Sequence, residues 1–72
     1  MRNIPIGSRI KLLRTRRRLT QGQLALVLGV TPQAVSRWEL AYAYPDLELL
    51  PALAKYFAVS TDYLLGVEPE ET

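Results

Sequence analysis

Three hydrogen-bonding side chains, Gln33, Ser36 and Arg37, are spaced so that they would share one face of a helix. Positions three and four apart are neighbours on a helix surface, and Val35 and Trp38 would then lie on the opposite, apolar face. Gln can form a bidentate pair of hydrogen bonds with adenine, Arg can do so with guanine, and Ser can bond to several bases or to phosphate. The stripe therefore predicts recognition of base edges in a major groove, although an ordinary solvated helix could carry the same residues.

A short break in the apolar stretch comes directly before this stripe. Gly29 can adopt the positive φ that ends a helix, Thr31 can cap a new one, and Pro32 suits its first position. The pattern predicts one helix over about 21–28 and a second from 32 to about 40, joined by a tight turn. Such a helix-turn-helix allows one helix to lean on a surface while the other enters a groove.

The remaining elements are predicted from caps and apolar spacing. Thr20 and Gln23 have the spacing of a capping box that opens the second helix, and Leu24, Val27 and Leu28 are expected to form its buried side. Segment 41–45 has no helical stripe and is predicted to be a loop. Three further helices are expected. The first lies over about 6–18, another begins at 48–50 and ends near 58 with Pro51 in its first turn, and the last lies over 61–65. The prediction is an all-α five-helix bundle in one domain, residues 1–66, followed by a polar tail, residues 67–72.

Charge is divided unevenly along the chain. Residues 1–37 contain eight basic and no acidic side chains, a balance of +8. Residues 38–72 contain one lysine and seven acids, a balance of 1 − 7 = −6. A half without acids, including the block Arg16, Arg17 and Arg18, indicates a polyanionic partner, although a basic block at a helix end is also common on solvated surfaces.

Composition makes several classes of function improbable. Neither Cys nor His occurs, so disulfides, thiolate chemistry, imidazole bases and the usual zinc ligands are missing. The carboxylates are scattered and no nucleophile–base pair is evident, so we predict neither an enzyme nor a cofactor or metal site. No run of about eighteen apolar residues is present, and we therefore expect a cytoplasmic protein, associated with the nucleoid when bound to DNA, with no membrane partner.

Over about residues 6–66, the chain resembles the phage-repressor and Cro-like helix-turn-helix family, also called the XRE family. The residues that carry the resemblance are Ile10, Leu13-Arg14, Leu19-Thr20-Gln21, Leu24-Ala25, Gly29-Val30, Val35, Trp38-Glu39, Pro45 and Val59 to Gly66. The resemblance implies a lambda-repressor-like fold and a transcriptional regulator, expected to be a repressor. It also implies binding to double-stranded DNA as a homodimer on a palindromic operator.

The resemblance assigns roles by position. Gln21 would contact phosphate at the start of the second helix, and Arg14 would pair with Glu39 between the first and third helices. The expected base-reading residues are Thr31, Gln33, Ser36 and Arg37. Together with the basic block Arg16, Arg17 and Arg18, which the charge distribution indicates, the expected phosphate contacts are Gln21 and Arg14.

Two departures from the family pattern leave an alternative open. Pro32 replaces a polar side chain that some members use to reach a base. The loop after Glu39 is apolar and aromatic, where many members are basic. The hydroxyl of Tyr42 or Tyr44 could replace the basic contacts to phosphate. Alternatively, the loop could contact a second copy of the chain or another protein. The alternative function is a protein-binding module, antitoxin-like or regulator-binding, that acts through loop 40–45 or the last helix. Dimerisation through residues 63–65 of that helix is a further expectation.

Overall fold

The computed structural model describes residues 4–67, so most of the predicted tail, residues 68–72, lies outside the described residues. Within residues 4–67 the chain forms five α-helices and no strand, which confirms the predicted fold class. The helices are α1 (Ile6–Arg16), α2 (Gln21–Leu28), α3 (Pro32–Glu39), α4 (Leu49–Phe57) and α5 (Thr61–Leu65). None of these helices is both long and apolar enough to cross a membrane.

Side-chain caps start three of the helices as the sequence predicts. The hydroxyl oxygen of Thr20 accepts from the N–H of Gln23 at 3.0 Å, and the Gln23 side chain accepts from the N–H of Thr20 at 2.8 Å, which completes the capping box of α2. Thr31 caps α3 in the same way, with Pro32 in its first turn, and Ser60 caps α5. Each cap satisfies a backbone donor that the first turn leaves unpaired.

A left-handed residue follows the end of every helix. In each case the next residue donates its N–H to a carbonyl five positions back, for example Leu19 to Arg14 at 3.1 Å and Tyr42 to Arg37 at 2.9 Å, as in a Schellman motif. The left-handed residues are Arg18, Gly29, Ala41, Ala58 and Gly66. Because Arg18 and Ala41 leave the helical conformation, α1 and α3 end slightly earlier than the sequence suggests.

The core lies between the five helices and contains no buried polar or charged residue among the described ones. Its buried apolar members are Ile6, Ile10, Leu13, Leu24, Ala25, Val35, Trp38, Leu53, Ala54, Phe57 and Leu64. The expectation that Val27 belongs to the buried side of α2 is wrong, since Val27 is 50% exposed. The neighbouring helices cover the side of α2 that carries Leu24 and Ala25, and Val27 lies off that side.

A glycine allows α1 to approach the end of α3 closely. Gly7 is buried, and a Cβ atom at this position would lie 1.9 Å from the carbonyl oxygen of Trp38. No side chain larger than hydrogen fits there without a backbone shift. This contact sets the distance between the first helix and the helix that carries the polar stripe.

Candidate nucleic-acid interface

The polar stripe of α3 lies opposite its buried face. Gln33 and Arg37 are exposed and Ser36 is half-buried, whereas Val35 and Trp38 are buried in the core. Two anchoring side chains thus hold α3 from behind while the three hydrogen-bonding residues face outward. The Thr31 hydroxyl, at the start of the same helix, accepts from the N–H of Ala34 at 3.1 Å and retains its own O–H for another partner.

Arg14, Glu39 and Gln21 form a network that joins α1, α3 and α2. Arg14 donates through Nε to Glu39 Oε2 at 2.6 Å and through Nη2 to Glu39 Oε1 at 2.9 Å. Gln21 donates through Nε2 to Glu39 Oε1 at 3.0 Å. The ion pair that the resemblance implies is therefore present, with side-chain exposures of 12% for Arg14 and 3% for Glu39. Gln21, which was expected only to contact phosphate, is a third member of the network.

The network also changes the acidity of its carboxyl group. Burial alone would raise the pKa of Glu39, but the hydrogen bonds from Arg14 and Gln21 and the charge of Arg14 outweigh burial and lower this pKa. Glu39 is therefore ionised at neutral pH. Its negative charge is neutralised by Arg14, so it does not repel a phosphate backbone near α3.

The network limits what its members could give to a phosphate. A guanidinium has five N–H donors. Arg14 uses three of them, including one from Nη1 to the carbonyl of Leu19 at 2.8 Å. Gln21 retains one N–H of its amide and stands at the first position of α2, where free backbone N–H groups favour an anion. A phosphate contact by either residue stays a prediction.

The arginine block does not point in one direction. Arg16 and Arg18 are exposed, but the Arg17 guanidinium lies 5.2 Å from the ring centres of both Tyr56 and Phe57 and donates to the Tyr56 carbonyl at 2.7 Å. This carbonyl is in the last turn of α4, where backbone acceptors have no helical partner. Arg17 therefore joins α1 to α4, but it is also exposed, and a phosphate contact by its remaining N–H donors stays a prediction.

Arg9 is a second arginine of this kind, and the sequence did not predict its contacts. Arg9 lies 4.4 Å from the Tyr63 ring centre and donates to the Tyr63 carbonyl at 2.5 Å, in the last turn of α5. Two signals for these contacts were available in the sequence. Arg9 and Arg17 come three or four positions after buried apolar residues of α1, and aromatic residues occur near the ends of later helices. In the expected dimer surface at residues 63–65, Tyr63 is half-covered and Leu64 is fully buried. Leu64 is therefore not available for contact with a second copy, and dimerisation through this segment stays a prediction.

Much of the loop after α3 is exposed although its side chains are apolar or aromatic, and Pro45 is its buried member. Leu40, Tyr42 and Tyr44 are all exposed, and residues 40–45 carry no charged side chain. Within residues 4–67 no group of His, Cys, Asp and Glu residues could hold a metal ion.

Comparison with known proteins identifies this arrangement. The family model described as helix-turn-helix matches residues 10–64, which include the capping box, the Gly29 turn and all of α3. The chain belongs to the XRE-type helix-turn-helix family. Among curated members, the HTH-type transcriptional activator BcrR of Enterococcus faecalis is 43% identical over 86% of the chain, and repressor protein C2 of Salmonella phage P22 is 36% identical over 93%. The XRE-type chain spans 30% of the activator and 31% of the repressor.

Solved structures of this family agree with the fold. The crystal structure of the P22 c2 repressor in complex with a synthetic operator matches with a TM-score of 0.80 and 36% identity, covering 88% of this chain and 96% of that one. A transcriptional regulator from Listeria innocua matches with a TM-score of 0.86 and 28% identity, covering 99% of this chain and 66% of that one. The XRE-type fold therefore extends over nearly the whole chain.

Proposed function

We propose that this chain is a sequence-specific regulator of transcription, acting as a repressor, that binds double-stranded DNA and reads the major groove with α3. The observation that carries the proposal is the arrangement of Gln33, Ser36 and Arg37 on one outward face, fixed from behind by Val35 and Trp38. A major groove admits one α-helix, and these side-chain types match the donors and acceptors of base edges.

Phosphate contacts would surround the reading helix. Gln21 at the start of α2 and the exposed Arg16 and Arg18 are the residues that we assign to them. These groups would fix the protein on the duplex without reading sequence, because phosphates are alike at every base pair. Nothing in this activity needs a catalytic step or a cofactor, and its place would be the cytoplasm, at the nucleoid.

A palindromic operator with one copy of the chain on each half-site is the proposed target. The operator complex of the P22 c2 repressor, a protein with 36% identity to this chain, supports DNA as the partner. Symmetric half-sites are the usual counterpart of a two-fold protein arrangement.

A protein partner is the second candidate. The observation that favours it is the exposure of Leu40, Tyr42 and Tyr44 in a loop without charge. In that case, the loop would bind an apolar protein surface, and replacing Arg37 would leave activity intact.

The first test is a titration of the purified protein onto duplex DNA from upstream of its own gene and onto a shuffled control, at two salt concentrations, by fluorescence anisotropy. We expect a preference of about a thousandfold or more, with affinity that falls steeply with salt. Arg37→Ala should remove most of the preference, whereas Lys55→Ala, an exposed basic residue of α4, should leave it unchanged. Equal binding to both duplexes would contradict the proposal and favour the protein partner. Selection from a random pool of duplexes that yields no bound sequence would have the same meaning.

A further inference from the structure

Glu39 is an acidic side chain beside the surface that we assign to DNA, where an acid would ordinarily weaken the binding of a polyanion. It is the last residue of α3, and its side chain is only 3% exposed. We propose that Glu39 is a positioning residue for DNA binding, which holds the amide of Gln21 so that one N–H of that amide faces a phosphate. The inference rests on the proposed function in one respect, which is that Gln21 contacts phosphate.

The Glu39 carboxylate is itself held in one place. Its Oε2 accepts from Arg14 Nε at 2.6 Å, and its Oε1 accepts from Arg14 Nη2 at 2.9 Å. Two parallel bonds from one guanidinium fix the orientation of a carboxylate as well as its distance. Oε1 is also the atom that accepts from Gln21 Nε2, at 3.0 Å. Gln21 therefore meets an acceptor that α1 and α3 together keep in a fixed position.

The chemistry of the acceptor decides which end of the Gln21 amide faces it. An ionised carboxylate accepts hydrogen bonds and donates none, so the nitrogen of the amide must face Glu39 and the oxygen cannot. One N–H of that nitrogen is used in the bond to Glu39. The second N–H of the same planar group then has one direction, set by the first. A glutamine without this partner could present either its nitrogen or its oxygen to a phosphate.

Ordering the side chain in advance is how this arrangement would strengthen DNA binding. A glutamine side chain loses rotamer freedom when it is fixed, and a ligand that has to fix it pays that entropy from its binding free energy. Glu39 fixes the Gln21 side chain in the folded chain before DNA is present. Because Glu39 ends α3, the same bond also ties the phosphate contact at the start of α2 to the helix that carries the polar stripe.

The test is a double-mutant cycle in DNA affinity, measured by fluorescence anisotropy at a temperature where circular dichroism shows every variant to be folded. The variants are Glu39→Gln, Gln21→Met and their combination, since methionine is about as long as glutamine but has no N–H. We expect each single substitution to weaken binding by about threefold to tenfold. The double variant should bind no more weakly than Gln21→Met alone, because Glu39 acts through Gln21.

Glu48→Gln is the matched control, because it removes an exposed acid outside the network. It should not weaken DNA binding. If the charge of an acid were all that mattered, Glu39→Gln would likewise bind DNA as tightly as the wild type or more tightly, so a loss for Glu39→Gln alone separates positioning from net charge.

Relaxation of the side-chain amides in ¹⁵N NMR spectra gives a second measurement, which needs no variant to fold. In the free wild type, the Gln21 amide should be as ordered as that of Gln23, whose oxygen accepts from the Thr20 N–H, and more ordered than that of the exposed Gln33. In Glu39→Gln, the Gln21 amide should become more mobile while that of Gln23 stays ordered.

Two outcomes would overturn the inference. One is a double variant whose loss of affinity is the product of the two single losses, since Glu39 and Gln21 would then act independently. The other is a Gln21 amide that is as mobile as that of Gln33 in the wild type. Failure of the proposed function looks different. A chain that binds every duplex equally would contradict base reading by α3, whereas the cycle can be measured on any duplex and would still decide the role of Glu39.

Discussion

Gln33 offers the most direct test of base reading, because it is exposed on the outward face of α3 and is not part of the core. We expect Gln33→Ala to cost about 1–3 kcal/mol of binding free energy on the preferred sequence and to relax the preference at one base pair. Binding to a shuffled duplex should hardly change. Competition binding against single-base variants of the site measures both effects, and an equal loss on every sequence would assign Gln33 to a phosphate or to folding.

Glu39 is a second single residue with a testable role, which is its contribution to the free energy of unfolding. Its pKa is lower in the folded chain than the ordinary value of 4.5, so its contribution to stability is complete above that value and is lost as the pH falls through the lowered pKa. We therefore expect stability to fall on acidification, partly through this one residue, whose side chain accepts from both Arg14 and Gln21.

The corresponding substitution is Glu39→Gln. It should lower the free energy of unfolding by about 1–3 kcal/mol at neutral pH, since the ion pair with Arg14 is lost and one of the two acceptor oxygens becomes a donor. It should also flatten the pH dependence below about pH 5, where the wild type loses the contribution of Glu39. Urea unfolding at a series of pH values measures this, with the exposed Glu48→Gln as control. Parallel pH profiles of wild type and Glu39→Gln would show that ionisation of Glu39 does not contribute to stability.

At the scale of elements, the helix ends are the feature that the five elements share. Each ends in a left-handed residue, but only Gly29 and Gly66 are glycines, and an L side chain pays a steric cost in this region. Ala41, with φ of 65°, follows the end of α3. Some stability is therefore given up at the end of the helix that the proposed function uses.

Replacing that alanine should reverse the cost. Ala41→Gly is expected to raise the free energy of unfolding by about 0.5–1 kcal/mol. Ala52 lies at an exposed position inside α4. Ala52→Gly should lower the free energy of unfolding by about 1 kcal/mol, because glycine is a poor residue in a helix interior. Chemical denaturation of both variants gives the comparison, and two changes of the same sign would count against a left-handed strain at Ala41.

The contact between α1 and α3 also depends on a single position. Gly7→Ala would place a methyl group 1.9 Å from the Trp38 carbonyl oxygen. We therefore expect this substitution to lower the free energy of unfolding by about 2 kcal/mol or more.

Gly22 in α2 is the matched control, because the nearest atom to a methyl group added there would be 3.8 Å away. Gly22→Ala should instead stabilise the chain by about 0.5–1 kcal/mol, since alanine is the better helix former. Thermal unfolding separates the two variants, and equal midpoints would mean that α1 and α3 can shift apart freely.

At the scale of the whole molecule, the described arginines of the basic half form two groups. Contacts within the chain hold Arg9, Arg14 and Arg17, and they do not hold Arg16, Arg18 and Arg37. Arg9 and Arg17 lie on aromatic rings and bond to carbonyls of the last turns of α5 and α4, so they connect the basic half to the acidic half. Arg16, Arg18 and Arg37 are exposed and lie on no aromatic ring within residues 4–67, so they are available to meet phosphate or bases. The net charge of the N-terminal half therefore overstates what it presents to DNA.

Salt dependence distinguishes the two groups. Arg16→Gln should reduce the steepness of log affinity against log salt by about 0.9, because the loss of one phosphate contact means that fewer counterions are released on binding. Arg17→Gln should leave the slope unchanged and lower the free energy of unfolding by about 1 kcal/mol through the lost stacking and hydrogen bond. Titrations at several salt concentrations, paired with denaturation, measure both, and a smaller slope for Arg17→Gln would return this residue to the phosphate contacts.

Most of the fold was predictable because its signals are local. The Thr20 capping box, the Gly29 turn, Thr31 with Pro32, and the opposed faces of α3 each involve residues within about one helical turn, where backbone geometry leaves few choices. For the same reason, five helices and the polar stripe of α3 follow from residue order alone. Family likeness supplied the pairing of Arg14 with Glu39, which spacing could not.

Only the tertiary structure decided which side chains the helices share. Arg9 meets Tyr63 across 54 positions, Arg17 meets Tyr56 across 39, and Gln21 joins Glu39 across 18, so no local pattern reports these partners. The exposure of Val27 and the close approach at Gly7 depend in the same way on how neighbouring helices lie. Sequence determined the elements and the outward stripe through local hydrogen bonding and periodicity, and packing determined which charges stay free and which apolar surfaces stay open.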